Sequence, residues 1–294
     1  MDQRRRHESR RAITAAEVDT FWLDGVVCLR GVLDRALLDA MAAPVGELVR
    51  ARSLADMSAM GESLERSGET VLRDTTEGDE ARGRFISGVD HWRGHEAFRF
   101  FACDSTLPAI AAALLGANTV YLWEDSLLVK EPGTKERTAW HQDLGYFHAA
   151  GEQICTTWCP LDPVTAATGA VRFVRASHRW STVFRPNLFV STMAIPGTRG
   201  DDVPDIDAMA ERGDVDVLVF DTDPGDITVH HARTLHAAGA NRSATQTRRA
   251  ISVRYCGDDV RYHIRPGAPM KAHHRDVHNG DVLGGPDAPV VWPR

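Results

Sequence analysis

Apolar positions recur at helical spacing through the first part of the chain and at strand spacing from about residue 119 onward. Thr14 and Glu17 form a T-x-x-E capping box ahead of Val18, Phe21 and Trp22, so a helix is predicted to begin there. The apolar run Val26 to Leu29 reads as a strand. Asp34 opens a second helix whose Leu37, Leu38, Met41 and Val45 share one face. Residues from about 52 to 84 are polar, charged and weakly periodic, the texture of a loop or mobile lid. A third helix covers about Leu107 to Leu115 and stops at Gly116, a residue type suited to a left-handed helix end.

Beyond Thr119 the pattern shortens into runs separated by Pro/Gly turns: TVYLWEDSLLVK, QICTTWCPL, GAVRFV, VDVLVF, DITVH and RRAISVRY. Short strands at this spacing predict a sandwich or barrel. The longest interruption, about 181 to 214, is expected to cover one mouth of it. No internal repeat or low-complexity tract is present. The expected organisation is a basic, disordered arm over 1–12, then one domain over 13–294. That domain has an all-β core with N-terminal helices packed on one side, and lid insertions at about 52–84 and 181–214.

Composition narrows the partners. Net charge is −7 and the pI about 6.0, which supplies no global basic field for nucleic acid or an anionic membrane. A small molecule is the expected partner, and nothing in the pattern fixes an oligomeric state. No continuous apolar run reaches the length of a membrane span, and the arginine-rich start lacks the apolar stretch of a secretory signal. Five cysteines at irregular spacing argue against a disulfide framework and for a reducing, cytoplasmic setting. Cys155 and Cys159 lie four apart on a strand-like run, about 13 Å, too far to share a metal.

Candidate chemistry begins at TAWHQDLGYF. His141 and Asp143 stand at i and i+2, so on an extended strand end both side chains leave one face while Gln142 points away. About ninety residues later, ITVHHARTLHAAGANRS supplies further histidines, among them His236. Two histidines and one carboxylate on one side of a metal leave other coordination positions open, the arrangement of non-haem iron(II) oxygenases. Arg248 follows His236 by twelve residues on the next strand-like run. Its guanidinium can grip the distal carboxylate of a dicarboxylate in a bidentate fork. Strand alternation puts Arg248, Ala250, Ser252 and Arg254 on one face and Arg249, Ile251, Val253 and Tyr255 on the other, with Arg254 the alternative clamp.

On LLVKEPGTKERTAWHQDLGYF, WCPLDPVTAATGAVRFVRASHRW and HHARTLHAAGANRSATQTRRAISVRY, the chain resembles the phytanoyl-CoA dioxygenase (PhyH-like) family of Fe(II)/2-oxoglutarate oxygenases, in its bacterial branch. The resemblance implies a double-stranded β-helix, a jelly-roll barrel. It implies Fe(II) held by His141, Asp143 and His236, with 2-oxoglutarate and O2 as co-substrates and Arg248 as the clamp. By the same resemblance Ser126 and Trp158 line the 2-oxoglutarate pocket, and His236 is favoured over His230 and His231 as third ligand. The member for which the family is named has a serine two residues after the distal histidine, where this chain has Ala238.

His178 and Asn241 read as turn residues, and His273, His274 and His278 as a solvated tail. Trp140, Tyr146 and Phe147 are candidates for a cavity wall or for core packing. The implied activity is hydroxylation of a small metabolite, a natural-product intermediate or acyl-derived compound, with release of succinate and CO2. Desaturation, epoxidation and ring closure are alternative outcomes of the same site. An aspartate at 143 favours hydroxylation over halogenation, because related halogenases keep that position small. A zinc hydrolase could use the same three ligands but would leave Arg248 without a task. A non-catalytic barrel serving as a binding module is the remaining alternative.

Overall fold

The structure, a computed structural model, describes residues 10–74 and 82–293. In chain order it contains α1 (Ala15–Asp24), β1 (Val26–Leu29), α2 (Arg35–Asp39), α3 (Ala42–Arg50), β2 (Ala55–Asp56), α4 (Met57–Arg66), β3 (Phe85–Val89), α5 (Glu96–Arg99), α6 (Leu107–Leu115), β4 (Val120–Lys130), β5 (Thr138–His141), β6 (Ala149–Ala150), β7 (Ile154–Pro160), β8 (Val171–Val174), α7 (Ile206–Glu211), β9 (Val217–Val219), β10 (Ile227–His231), β11 (His236–Ala238), β12 (Arg248–Cys256), β13 (Arg261–Tyr262) and β14 (Val290–Trp292).

Two antiparallel sheets carry the architecture. The larger runs β1-β10-β7-β12-β4-β3-β2, with β14 beside β4, and the smaller runs β5-β11-β8-β9. Strict alternation on β12 explains how they stack. Ile251, Val253 and Tyr255 join Leu127 and Val129 of β4 in one core with Phe21 of α1 and Leu107, Ile110 and Leu114 of α6. The opposite face carries Ala250, which packs with Trp158 of β7 against Val171 and Phe173 of β8 in the smaller sheet. Helices therefore cover one face of the larger sheet, and the smaller sheet faces the other. Cys155 and Cys159 fill the helical-side core, and all five cysteines are free thiols.

The expected helix starts and stops are present. Thr14 and Glu17 cap each other at the start of α1, and α1 ends at Gly25 with φ 79°. A Cβ on Gly25 would strike the His178 ring and the Thr234 hydroxyl. The bare backbone lets Gly25 O accept from the Thr234 hydroxyl at 2.7 Å and from His231 N at 2.9 Å, which fixes the turn leading to His236. Asp34 caps α2, and Gly116 ends α6 in the left-handed region.

Three expectations need correction. The single helix expected after Asp34 is two, α2 and α3. Pro44 cannot donate to the Ala40 carbonyl, so the helical ladder breaks there. The stretch 52–84 is not all loop: β2 and α4 form in it, with Asp56 capping α4 at Ala59 N (3.0 Å). Its sparse apolar content concealed that helix, and residues 75–81 lie outside the described residues. Of the basic arm, residues 1–9 lie outside the described residues, whereas Arg11 is held by Glu17 at 2.6 Å.

One helical run, Glu96–Leu115, is long and apolar enough to cross a membrane, but most of it is buried inside the fold. The interruption at 181–214 forms α7 and is pinned to the site by Gln142 and Tyr146. Gln142 Oε1 accepts from Phe184 N at 3.0 Å, and the Tyr146 hydroxyl donates to Asn187 O at 2.9 Å.

Candidate active site

β5 ends at His141 where β11 begins at His236. The two are direct cross-strand partners, with ring centroids 4.1 Å apart. Gln142 stays extended (φ −109°, ψ 134°), which returns Asp143 to the His141 side even though a tight turn starts at Asp143. The Gln142 amide leaves in the other direction and donates to Arg233 O at 2.8 Å. The i, i+2 geometry read from the sequence therefore holds at a strand end.

Asp143 Oδ1 lies 3.8 Å from His141 Nε2 and 3.8 Å from His236 Nε2, and one ligand atom from each residue lies within 4.8 Å of the others. His141 Nδ1 sits 2.8 Å from Ala139 O and His236 Nδ1 3.0 Å from Thr234 O. A carbonyl only accepts, so each Nδ1 carries the proton and each Nε2 presents its lone pair. Burial lowers His141 to a pKa of about 3 and His236 to about 4, so both rings are neutral near pH 7. Two neutral nitrogens and one carboxylate oxygen, convergent and buried, form a donor set that fits iron(II).

The other carboxylate oxygen is held from the larger sheet. Asp143 Oδ2 accepts from the Thr156 hydroxyl at 2.5 Å, with His230 Nε2 at 3.5 Å and Arg254 Nε at 3.7 Å. Burial alone would raise the Asp143 carboxyl. The Arg254 charge and the His230 contact outweigh it and keep the group well below the usual carboxylate range. His230 thus stands behind the carboxylate. His231 faces the helices instead, its Nε2 2.7 Å from Glu152 O and its Nδ1 accepting from Arg233 N at 3.1 Å.

An inner cavity opens from the triad between the sheets, lined by Thr156, Trp158, His230, Ala238, Arg248 and Ser252 among others. The Arg248 guanidinium carbon lies 5.7 Å from the Trp158 ring centroid. Arg248 is 2% exposed, and among the described residues its Nε has no hydrogen-bond partner and no carboxylate ion-pairs with it. Desolvation lowers its pKa to about 10, still charged at neutral pH. Its cross-strand partner Lys130 is buried too, but donates to Glu136 O (2.9 Å) and Gly239 O (2.5 Å). Arg248 is therefore the buried cation left facing the cavity, a position that an anionic ligand would satisfy. Asn241, as the turn reading implies, spans the β11–β12 connection by donating to Lys130 O and Gln246 O.

The family model for phytanoyl-CoA dioxygenase (PhyH) matches residues 21–250, a span that contains the triad and Arg248. The chain belongs to the phytanoyl-CoA dioxygenase family. It is a family of Fe(II)/2-oxoglutarate-dependent dioxygenases, and the His-Asp-His cluster of that chemistry is present here. The chain is 30% identical over 121 residues to a probable phytanoyl-CoA dioxygenase of Caenorhabditis elegans, covering 41% of this chain and 36% of that protein. Its matches span less than half the length of the curated relatives concerned. Among solved structures, the non-heme alpha ketoglutarate dependent carbocyclase SnoK from nogalamycin biosynthesis superposes with a TM-score of 0.67 at 23% identity, covering 97% of this chain and 99% of that one. The epimerase SnoN from the same biosynthesis gives 0.65 at 22% identity, covering 95% and 98%.

On this phytanoyl-CoA dioxygenase fold, a larger outer cavity of about 360 Å³ lies on the other side of the triad. The two cavities share Leu128, His141, Phe189 and Arg254. Ser126, expected beside Trp158 in the co-substrate pocket, lines the outer cavity and accepts from Arg254 Nη1 at 2.5 Å. Arg254, the alternative clamp, is thereby committed to Ser126 and Asp143. Tyr146 and Phe147 wall the outer cavity, whereas Trp140 packs with Phe184 and Leu235.

His178 holds a loop as expected, its Nε2 3.0 Å from Trp22 O. The tail does not behave as a solvated segment throughout: His274 is 3% exposed and lines the outer cavity beside Lys271, while only His278 of the three tail histidines is fully at the surface. Sequence reasoning did not identify Thr156, Phe189, Glu124 or Lys271. Each enters the site through long-range packing, with no local motif around it.

Proposed function

We propose that this chain oxidises a small molecule as an Fe(II)/2-oxoglutarate-dependent hydroxylase. His141 Nε2, Asp143 Oδ1 and His236 Nε2 would hold the metal, and Arg248 would hold the distal carboxylate of 2-oxoglutarate. Strand order supports a double-stranded β-helix as the scaffold: β4, β7, β10 and β12 share one sheet, and β5, β8, β9 and β11 the other. The observation that carries the reading is Arg248, a buried guanidinium with no carboxylate paired to it among the described residues, at the wall of a cavity that also contains the triad histidines. A zinc hydrolase has no use for it.

Iron(II) with 2-oxoglutarate and O2 supplies the oxidising power, with succinate and CO2 as co-products. The chain supplies the rest. Thr156 and Arg254 hold Asp143 Oδ2, which leaves Oδ1 for the metal. The carbonyls of Ala139 and Thr234 fix the tautomers of the two histidines. Trp158 gives Arg248 an apolar wall, and Ala238 leaves room where a serine would stand. Phe189, from the insertion at 181–214, contacts the His141 ring at 5.2 Å between centroids and helps close both cavities to water.

Four aromatic residues line the outer cavity: Trp123, Tyr146, Phe147 and Phe189. Its size suits a small metabolite, and the likeness to enzymes of nogalamycin biosynthesis is in keeping with a natural-product intermediate. Five free thiols suit a cytoplasmic setting. The test is substrate-stimulated conversion of 2-oxoglutarate to succinate by the iron-loaded protein across a metabolite panel. Asp143→Ala should abolish hydroxylation. Normal substrate-dependent succinate formation in that variant would remove the triad assignment.

A further inference from the structure

The inner cavity has one wall unlike the others. Its lining residues stand on strands of the two sheets, as Phe85 does on β3, Trp158 on β7 and Val171 on β8, with the exception of Phe189. Phe189 comes from the insertion at 181–214, is half-buried, and also lines the outer cavity. Three other residues are common to both cavities, and each is fixed. His141 is assigned to the metal, Arg254 is committed to Ser126 and Asp143, and Leu128 is paired within the sheet to Ser87 and Ala250.

The placement of Phe189 is costly. Its φ is 65°, in the left-handed region that a bulky residue rarely adopts. Two bonds hold the backbone there. Phe189 N donates to Asn187 Oδ1 at 3.0 Å, and Phe189 O accepts from Ala139 N at 2.7 Å. Asn187 in turn donates to Trp140 O at 2.9 Å. Ala139 and Trp140 lead directly into His141, and Ala139 O is the carbonyl that fixes the His141 tautomer. The strand that carries the ligand therefore also bears the strain. The result is a Phe189 ring 5.2 Å from the His141 ring and 6.1 Å from the Phe85 ring, between centroids. Strain that neighbours maintain beside a ligand is a mark of function.

Space decides what the ring does. The inner cavity is about 40 Å³, room for about three waters, against about 360 Å³ for the outer one. 2-Oxoglutarate is larger than that, so it reaches Arg248 only where a wall gives way. Laddered strands yield only with their sheet. The loop-borne ring yields by turning about its own side-chain bonds, toward the outer cavity.

We propose that Phe189 is the movable wall of the co-substrate site and decides which 2-oxo acids enter it. Provided the dioxygenase reading holds, Arg248 takes the far carboxylate and so sets the length of the acid. Phe189, against the His141 ring, sets its girth near the keto end. A branch on the carbon beside the keto group pushes the ring farther than an unbranched chain does, and overpacking of this kind is penalised.

The test is calorimetric titration of the Fe(II)-loaded full chain under nitrogen. The probes are 2-oxoglutarate, 3-methyl-2-oxoglutarate and the longer 2-oxoadipate. Wild-type protein should bind 2-oxoglutarate about ten-fold more tightly than its 3-methyl analogue. Phe189→Ala should bring the two within about two-fold of each other, while 2-oxoadipate stays disfavoured. Phe189→Gly, which suits a left-handed backbone, should behave as Phe189→Ala does and guards against a variant that fails to fold. Phe189→Leu, which keeps part of the bulk, should fall between these and the wild type. A role confined to supporting the fold would weaken all three acids together and leave their ratios unchanged. Unchanged ratios in both small variants, loss of all binding in both, or an equal gain for 2-oxoadipate would each overturn the proposal. A wild type that binds 2-oxoglutarate and its 3-methyl analogue equally would overturn this inference alone. A wild type that binds none of the acids would overturn the dioxygenase reading and this inference with it.

Discussion

The Thr156 hydroxyl donates to Asp143 Oδ2 at 2.5 Å, a bond between a strand of the larger sheet and the turn that leaves the smaller one. It decides which oxygen of the carboxylate faces the histidines. Thr156 is 1% exposed, and Val is nearly isosteric, so Thr156→Val should fold. Without the hydroxyl, Oδ2 loses its shortest contact and the carboxylate can rotate about its Cβ–Cγ bond. Anaerobic titration with Fe(II) should show affinity falling by about 10–100-fold, the usual cost of removing a group that orients a ligand. Unchanged iron affinity would mean that Arg254 and His230 suffice.

Arg248→Lys tests the inner cavity. Lysine keeps the charge but loses the two-pronged grip and cannot span the same space against Trp158. Iron affinity should hold while the dissociation constant for 2-oxoglutarate rises by roughly 10–100-fold, the equivalent of about 1.5–3 kcal/mol for a charged hydrogen bond. A parallel loss of iron would place Arg248 in the metal site and not the co-substrate site.

How much of this was legible follows from what each residue depends on. His141 and Asp143 were legible because strand alternation is local, and it survives as long as Gln142 stays extended. The two faces of β12 were legible for the same reason. Thr156 was not, because a threonine on a β-rich run reads first as a strand former. Its task appears only when β7 is set behind the Asp143 turn. His274 was hidden by its surroundings: a Gly/Pro-rich tail gives no periodicity, and long-range contacts, the ties of Lys271 to Asp90 and Glu124 and the stack on Trp123 among them, bring it into the cavity wall. The helix α4 was missed because its stability derives from caps and from Glu136, which takes the Ser58 hydroxyl at 2.9 Å, more than from an apolar stripe.

Gly25→Ala should destabilise the site from a distance. The position has φ 79°, and the added methyl would strike the His178 ring and the Thr234 hydroxyl. Backbone strain and overpacking each cost about 1–3 kcal/mol. Because Gly25 O anchors the turn before His236, thermal melting should drop and iron affinity should fall with it. A lowered melting temperature with intact iron binding would show that the turn holds without this anchor.

Asp125 sets a pH dependence that has nothing to do with the metal. It faces the helical layer, fully buried, with Oδ1 accepting from Trp92 N at 3.2 Å and Oδ2 without a partner among the described residues. Burial, with Asp90 and Glu124 nearby and Arg254 opposing them, raises its pKa from 3.8 to about 7. Between those values the folded chain keeps a proton that the unfolded chain has released, so stability falls as pH rises across the window. The contribution is fully present below about pH 4 and gone above about pH 7, with a full size on the order of 4 kcal/mol. Asp125→Asn mimics the protonated form at every pH and keeps the acceptor for Trp92 N. Urea unfolding at pH 5 and pH 8 should show the wild type losing roughly 3 kcal/mol more than Asp125→Asn over that interval. Parallel losses in the two proteins would mean that Asp125 is ionised in the fold at pH 5, and that its unpartnered oxygen has found a donor or a water.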